Sequence, residues 1–242
     1  MKAIILAAGK GTRMRPLTLE RPKPLVEVNK RALIEHVVSQ LPRQVDELVI
    51  VVGYLGDMIR EYCGDYFLGR RVTYVGDDEI KGTYKALEKT KHLLSPGERF
   101  FVVFADDLHG ADGFKECLKY DRALLVAEVD DPRPYGVVEV DRAGHIRDIE
   151  EKPLYPKTNM VSTGVLLLDY SVFDYAPEVH SATGEYFLSH AVGQMLATKK
   201  IMAVPSSFWH PLSTPEDIQR AETVINSDRR TFPLKRSEAW KF

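Results

Sequence analysis

The sequence has few cysteines, no long apolar run and almost no excess charge. The two cysteines, Cys63 and Cys117, lie far apart and at no metal-site spacing, so we interpret both as reduced thiols and expect a cytoplasmic location. A net charge of -2 predicts no bulk attraction to nucleic acid. No apolar stretch approaches a membrane span, and Met1 leads into an apolar strand without a signal peptide, so we expect no membrane partner.

Predicted strands and helices alternate through the first half of the 242-residue chain. The strands are 47–52, 72–75 and 100–104, and the helices are 31–41, 56–62 and 82–94. Alternation of this kind is typical of an α/β fold with a parallel, helix-flanked sheet. The second half adds strands 123–129, 136–140, 145–149 and 161–168 with short turns, then helices 185–198 and 215–226. We therefore predict a Rossmann-like, open, mixed and mainly parallel sheet.

The first strand, residues 3–8, runs into a glycine-rich loop. Gly9 and Gly11 free the backbone to curl and to point N–H groups inward, while Thr12 and Arg13 supply a hydroxyl and a positive charge. We interpret this loop as a cradle for a polyphosphate. Ligands of open α/β sheets lie beyond the carboxyl ends of the strands, which places the loop and Asp106 at one edge.

Two familiar phosphate-binding patterns do not fit this loop. A dinucleotide-binding turn needs a third glycine, and Met14 stands there. Pro16, Pro22 and Pro24 also forbid the long helix that would follow such a turn. A P-loop needs a lysine, and then a serine or threonine, directly after its last glycine, whereas here Gly11 is followed by Thr12.

The run LAAGKGTRMRPLT, followed by PKPL, resembles the signature of the sugar-1-phosphate nucleotidyltransferases. These enzymes join a nucleoside triphosphate to a sugar phosphate and release pyrophosphate. The resemblance extends to about Asn226, through Asp106, Tyr135-Gly136, Glu150-Glu151-Lys152-Pro153, Thr163-Gly164, Gly184-Glu185 and Trp209. It implies one nucleotidyltransferase domain over residues 1–227, with a nucleotide half of roughly 1–110 and a sugar half of roughly 111–227. Residues 228–242 are interpreted as a loose tail or a strap onto a neighbouring subunit, which leaves a homo-oligomer open.

Three catalytic residues follow from the resemblance. Arg13 is expected at the leaving pyrophosphate, because a guanidinium is always charged and can grip two oxygens. Lys23 is expected to reach the α-phosphate, and Asp106 to bind Mg²⁺ through a carboxylate oxygen. Nucleotide contacts are expected from Leu6, Ala8, Gly9, Gly11, Thr12, Arg13, Asp77, Gly82 and Thr83.

A second group of residues is expected at the sugar phosphate. Gly136 would bring its backbone against the sugar, Glu151 would accept from hydroxyls, and Lys152 would pair with the phosphate. The full expected set is Tyr135, Gly136, Glu151, Lys152, Asn159, Thr163 and Gly164.

The chain departs from the family pattern near Trp209. Relatives usually have an aspartate, their second magnesium ligand, where this chain has Pro211. Either Asp106 holds Mg²⁺ with phosphates and water, or His210, Asp107 or Asp112 substitutes, or activity is lost. Imidazole suits softer ions than Mg²⁺, so His210 is the weaker substitute.

A second departure concerns the base. Relatives that use thymidine or uridine triphosphate often carry a glutamine where this chain has Asp77. An ionised aspartate can only accept hydrogen bonds, which favours the donor edges of guanine or cytosine.

These observations predict an enzyme that converts a nucleoside triphosphate and a hexose-1-phosphate to a nucleotide sugar and pyrophosphate. Glucose-1-phosphate is the hexose-1-phosphate that we expect first. A transferase for phosphocholine or inositol phosphate is one alternative. A catalytically silent relative that binds a sugar nucleotide is the other, and Pro211 is its main support.

Overall fold

One mixed sheet of ten strands runs through the computed structural model, which describes residues 1–77, 79 and 81–227. The strands are β1 (Lys2–Ala7), β2 (Glu27–Val28), β3 (Arg31–Ala32), β4 (Glu47–Val52), β5 (Tyr66–Phe67), β6 (Arg70–Gly76), β7 (Arg99–Phe104), β8 (Asp107–His109), β9 (Ala123–Glu128), β10 (Gly136–Val140), β11 (Ile146–Glu151), β12 (Met160–Asp169), β13 (Met202–Pro205) and β14 (Trp209–Pro211). The α-helices are α1 (Leu33–Gln40), α2 (Gly56–Cys63), α3 (Thr83–Glu88), α4 (Ala111–Cys117), α5 (Leu188–Met195) and α6 (Pro215–Ser227). The predicted tail, residues 228–242, lies outside the described residues.

The order of the main sheet is β11-β10-β12-β7-β1-β4-β6-β5, and β9 and β13 extend it beside β12. Strands β7, β1, β4 and β6 are parallel neighbours, whereas β12 joins β7 in the antiparallel direction. The first half of the chain thus supplies the parallel centre, and the second half supplies the antiparallel extension. The predicted Rossmann-like class, with helices flanking a mixed sheet, is confirmed.

Neighbouring residues of the central strands enter two different cores. Ile4 packs in one apolar cluster with α3 and α5, and Ile5 packs in the other with α1, α2 and α4. A strand that is buried on both faces must be apolar throughout, which is why β1 and β4 read as unbroken apolar runs. None of the helices in the described part of the chain is long and apolar enough to cross a lipid bilayer.

A third, smaller cluster lies beside the carboxyl edge of the sheet. It contains Met14, Val26, Val28, Leu33, Leu108, Leu212, Ala221 and Ile225. Met14 follows Arg13, Leu108 follows Asp107, and Leu212 follows Pro211. Three segments that are remote in sequence are therefore anchored to one another, next to the residues expected to carry the chemistry.

Two predicted helices are shorter than their apolar patterns suggested. Helix α3 ends at Glu88, and a short 3-10 turn over Lys91–Leu93 follows instead of a continuous helix to residue 94. Helix α5 begins at Leu188 rather than 185, because the Tyr186 backbone donates to Lys81 O and accepts from Tyr84 N–H. Helix α4 was not predicted.

Gly82 lies where the two halves of the chain meet, with φ at +103°. An added Cβ would lie 2.6 Å from the carbonyl oxygen and 2.7 Å from the nitrogen of Tyr186.

We expect Gly82→Ala to lower the free energy of unfolding by roughly 4 kcal/mol, since backbone overlap adds to a φ that alanine rarely adopts. Gly97→Ala is the matched control, with φ at +79° and nothing within 4 Å of the added Cβ. It should cost about 1–2 kcal/mol in urea unfolding. Equal losses would contradict the close approach.

Candidate active site

A cavity of about 420 Å³ opens at the carboxyl end of the parallel strands. Fifteen of the sixteen residues expected at the nucleotide and sugar-phosphate sites line it, and so do Lys23 and Asp106. The exception is Asn159, which is exposed and lies in the loop before β12, where its carbonyl accepts from the Val129 N–H. That backbone pairing holds Asn159 outside the cavity, so the expectation that it lines the same pocket is not met.

The glycine-rich loop has the curled backbone that its sequence predicts. Gly11 adopts φ +58°, and an added Cβ would lie 3.1 Å from Lys23 Cβ and 3.2 Å from Thr18 Cγ2. The buried Thr18 hydroxyl donates to the Gly11 carbonyl at 2.8 Å. The loop after Gly11 therefore folds back on it and leaves the exposed Arg13 at the cavity wall.

Lys23 and Asp106 both line the cavity and contact each other there. Lys23 Nζ lies 2.9 Å from Asp106 Oδ2, although the residues are 83 positions apart in sequence. The lysine is only 8% exposed and sits in a 3-10 turn with Pro24, whereas the aspartate side chain is 41% exposed. Parallel pairing of β1 with β7, with Leu6 opposite Phe104, brings both segments to one edge. The expected shared edge is confirmed.

Asp107 points to a different partner from Asp106. Its Oδ1 accepts from the Leu212 N–H and its Oδ2 from Trp209 Nε1, both at 3.0 Å. Burial, and then the negative charge of Asp106, raise the pKa of Asp107 to about 7. In the β8–β14 pair Asp107 lies opposite Pro211, the residue at the expected second metal position.

The other two proposed substitutes for a second metal ligand have other surroundings. His210 Nε2 lies 3.3 Å from the Asp217 carbonyl oxygen. Asp112 is an exposed residue of α4, outside the cavity lining, and pairs with Lys115 at 3.0 Å. Among His210, Asp112 and Asp107, only Asp107 lines the cavity, and both of its oxygens already accept hydrogen bonds.

Asp77, the residue expected near the base, lines the cavity directly after β6. Its N–H donates to Val52 O at 2.7 Å, and the residue is 1% exposed. Lys89 Nζ lies 3.0 Å from Oδ1, an ion pair whose alignment falls short of a hydrogen bond. At this distance the two groups form a close charge pair, so Lys89 is the partner of the buried Asp77 carboxylate.

Gly136 and Glu151 lie opposite each other on β10 and β11. An added Cβ on Gly136 would lie 3.3 Å from Glu151 Oε2, so a side chain there would crowd the carboxylate. Glu151 Oε2 also accepts from the Ser189 hydroxyl at 2.7 Å. The expected sugar-side pair is thus assembled, with Ser189 as an additional member.

Lys152 is held in a left-handed backbone conformation, with φ at +48°. Its N–H donates to Tyr135 O at 2.9 Å, and its ammonium lies 5.1 Å from the centre of the Phe187 ring. Non-glycine residues in this region of φ are strained and persist where surrounding contacts determine them. The fold therefore directs Lys152 toward the cavity.

Thr163 and Gly164 shape the floor of the cavity. The Thr163 hydroxyl is buried and donates to Leu125 O at 3.2 Å. Gly164 has φ +81°, and an added Cβ would lie 2.9 Å from Phe104 Cδ2. Both residues fix the path of β12 against its neighbours.

Sequence reasoning gave no role to several residues that line the cavity. They include Glu185, Phe187, Ser189 and Trp209. Glu185 and Trp209 lie in segments that carry the family resemblance, which was a usable signal. Phe187 and Ser189 fall in a stretch whose pattern predicted an ordinary helix.

Comparison with known proteins agrees with this geometry. The family model described as "Nucleotidyl transferase" matches residues 2–227. The chain belongs to this family. UTP–glucose-1-phosphate uridylyltransferase AglF of Haloferax volcanii is 34% identical over 240 residues, covering 94% of this chain and 98% of that protein.

A second relative is longer. Bifunctional protein GlmU of Methanocaldococcus jannaschii is 31% identical over 227 residues, which are 93% of this chain and 54% of GlmU. This member of the nucleotidyl transferase family thus spans about half the length of the GlmU proteins it matches. Among solved structures, a proposed glucose-1-phosphate thymidylyltransferase from Bacillus anthracis superposes with a TM-score of 0.83 and 28% identity, covering 94% of this chain and 96% of that one.

Proposed function

We propose that the protein transfers a nucleoside monophosphate from a nucleoside triphosphate to a hexose-1-phosphate and releases pyrophosphate. One observation carries the proposal. A single cavity is lined both by Arg13, Lys23 and Asp106, which we assign to the polyphosphate, and by Glu151 and Lys152, which form the proposed sugar-phosphate wall. Binding one nucleotide would not require cations and carboxylates at both ends of the cavity.

In the proposed reaction, a phosphate oxygen of the sugar phosphate attacks the α-phosphorus in line with the leaving pyrophosphate. The P–O bond to pyrophosphate breaks as the new P–O bond forms, so no covalent enzyme intermediate is needed. Lys152 would hold the attacking phosphate, Lys23 would lie at the α-phosphate, and Arg13 would bind the pyrophosphate as its charge grows.

Asp106 is the residue that would hold a divalent cation, which members of this family generally use. A hard carboxylate oxygen with a 41% exposed side chain fits Mg²⁺, which needs one or two protein carboxylates plus substrate oxygens. Across the residues described, no group of three or more His, Cys, Asp or Glu side chains could hold a metal. A bound Mg²⁺ would draw negative charge from the phosphate oxygens.

The acceptor proposed first is glucose-1-phosphate, because AglF and the B. anthracis protein are both named for that sugar phosphate. The reaction would take place in the cytosol, where the buried free thiols of Cys63 and Cys117 would stay reduced.

Asp77 is proposed to bias the choice of base toward guanine or cytosine. Relatives of similar identity are named for different nucleotides, a uridylyltransferase at 34% and a mannose-1-phosphate guanylyltransferase subunit of Dictyostelium discoideum at 33%. The Asp77 carboxylate is paired with Lys89. A bound base would therefore contact the carboxylate only when this ion pair turns toward the cavity.

Asp77→Gln is expected to shift the ratio of kcat/KM for GTP or CTP over UTP or TTP by roughly tenfold toward the pyrimidines with an N3–H. A glutamine amide can donate as well as accept, and one such hydrogen bond to a base edge is worth about 1–3 kcal/mol. Glu79→Gln is the matched control, since Glu79 is exposed and outside the cavity lining. An unchanged ratio would remove Asp77 from base recognition.

The proposed function is tested by pyrophosphate release from ATP, GTP, CTP, UTP and TTP, each with glucose-1-phosphate, mannose-1-phosphate and N-acetylglucosamine-1-phosphate. One clearly preferred pair is expected. Silence across this grid in folded protein, with turnover of phosphocholine or inositol phosphate, would support the non-sugar alternative. Nucleotide binding without any turnover would support the silent relative.

A further inference from the structure

The β8–β14 pair is fastened to the cavity in two independent ways. Leu108 and Leu212 pack with Met14 in the third apolar cluster, which adds an apolar anchor to the backbone pairing of the two strands. The Asp107 carboxylate adds a second attachment by accepting from Leu212 N–H and Trp209 Nε1. Since the apolar anchor already docks β14, the additional effect of the carboxylate is to fix the direction of the indole.

The fixed indole contacts the sugar-phosphate wall. The Trp209 ring lies edge-on to the Tyr135 ring, with 5.2 Å between centroids and 72° between planes. Burial first, and then the nearby Asp107 charge, raise the pKa of the Tyr135 phenol. Tyr135 in turn accepts the Lys152 N–H through its backbone carbonyl and so supports the left-handed conformation of that lysine.

We propose that Asp107 is a positioning residue that acts through the Trp209 indole to hold Tyr135 and Lys152 at the sugar-phosphate end of the cavity. This proposal rests on the proposed function for the identity of that end. It gives the second aspartate of the Asp106-Asp107 pair a role other than metal binding, in which its two oxygens accept from Trp209 in β14 and from Leu212 directly after it.

The kinetic test uses Trp209→Phe, which keeps the ring and removes the N–H donor, together with Asp107→Asn. Trp209→Phe is expected to raise KM for the preferred sugar phosphate roughly tenfold, as the loss of one hydrogen bond to a charged acceptor does. KM for the nucleoside triphosphate and the Mg²⁺ concentration for half-maximal rate should stay within about twofold. Asp107→Asn retains an acceptor oxygen and should show a smaller rise.

Asp112→Asn is the matched control, because Asp112 is an exposed aspartate outside the cavity. Its kinetic constants should equal those of the wild type. An increased Mg²⁺ requirement in Asp107→Asn would make Asp107 a metal ligand and overturn the proposal. An equal rise in both KM values in Trp209→Phe would show general disruption and overturn it as well.

A fluorescence test can overturn the first step of the proposal, the fixing of the indole by Asp107, even if no substrate pair reacts. The sequence contains two tryptophans, so in a Trp240→Phe background the emission reports Trp209 alone. Asp107→Ala is expected to increase acrylamide quenching of Trp209 clearly, and Asp107→Asn to increase it less. Unchanged quenching in both variants would show that the carboxylate does not hold the indole. If the alanine variant does not fold, the asparagine variant gives the same decision.

Discussion

Arg13→Ala should lower kcat by about 10²–10³-fold, a typical loss when one group that stabilises transition-state charge is removed. KM for the sugar phosphate should change little, because Arg13 lines the cavity from the glycine-rich loop, whereas Lys152 lines it at the end of β11. Negative charge on pyrophosphate grows only as the bond breaks, so the guanidinium contributes more to the transition state than to substrate binding. Initial rates of pyrophosphate release at varied sugar phosphate measure both constants.

Arg15→Ala is the matched control for this prediction. Arg15 is exposed two positions further along the same loop, but it does not line the cavity. Arg15→Ala removes one positive charge from the same loop as Arg13→Ala does. Because only screened surface charge is lost, kcat of Arg15→Ala should stay within about twofold of the wild-type value. Similar losses in both variants would show that the loop contributes net charge rather than a specific contact by Arg13.

Asp106→Asn should lower turnover by about 10³-fold and abolish the normal dependence on Mg²⁺, because an amide oxygen is a far weaker ligand for a hard cation than a carboxylate. The substitution conserves shape and leaves Lys23 an acceptor at the same place, so the fold should be retained. The measurement is the rate as a function of Mg²⁺ concentration, with a thermal unfolding curve to verify folding.

Asp112→Asn serves here as a control for the loss of one acidic charge, and it should titrate with Mg²⁺ like the wild type. If Asp106→Asn reaches half of its maximal rate at the same Mg²⁺ concentration as the wild type, the cation is bound elsewhere. The assignment of Asp106 would then be wrong whatever the loss in rate.

The parts of the site that could be predicted are those set by local sequence or by strand ends. Gly9 and Gly11 predicted a curled backbone, and the rule that parallel strands end at one edge placed Asp106 at the same edge as the glycine-rich loop. The observed 2.9 Å contact of Asp106 with Lys23 agrees with that expectation. Strand β4 was predicted with its observed bounds, because a strand buried on both faces has a short unbroken apolar run.

The parts that could not be predicted depend on partners remote in sequence. Residues 185–187 carry an apolar pattern that continues into a helix, yet backbone hydrogen bonds to Lys81 and Tyr84 keep Tyr186 extended. Asp107 carries no local sign that its acceptors are used by Trp209, 102 residues away. Only the packing of β14 against β8 reveals that partner.

Pro211 lines the cavity but has no side-chain oxygen that could bind a cation. It lies in β14 opposite Asp107, and the backbone on either side of it is held through Trp209 and Leu212. In the site that we propose, Asp106 would be the protein's carboxylate for the cation, and the phosphates would supply the remaining oxygens.

The most direct test of the proposed chemistry follows the products of the preferred substrate pair by mass spectrometry and phosphate assay in the presence of Mg²⁺. We expect one nucleotide sugar to form for each pyrophosphate released, with both products strongly reduced in Arg13→Ala and Asp106→Asn. If folded wild-type protein binds a nucleoside triphosphate but forms no nucleotide sugar with any acceptor, the proposal that this cavity catalyses nucleotidyl transfer is contradicted.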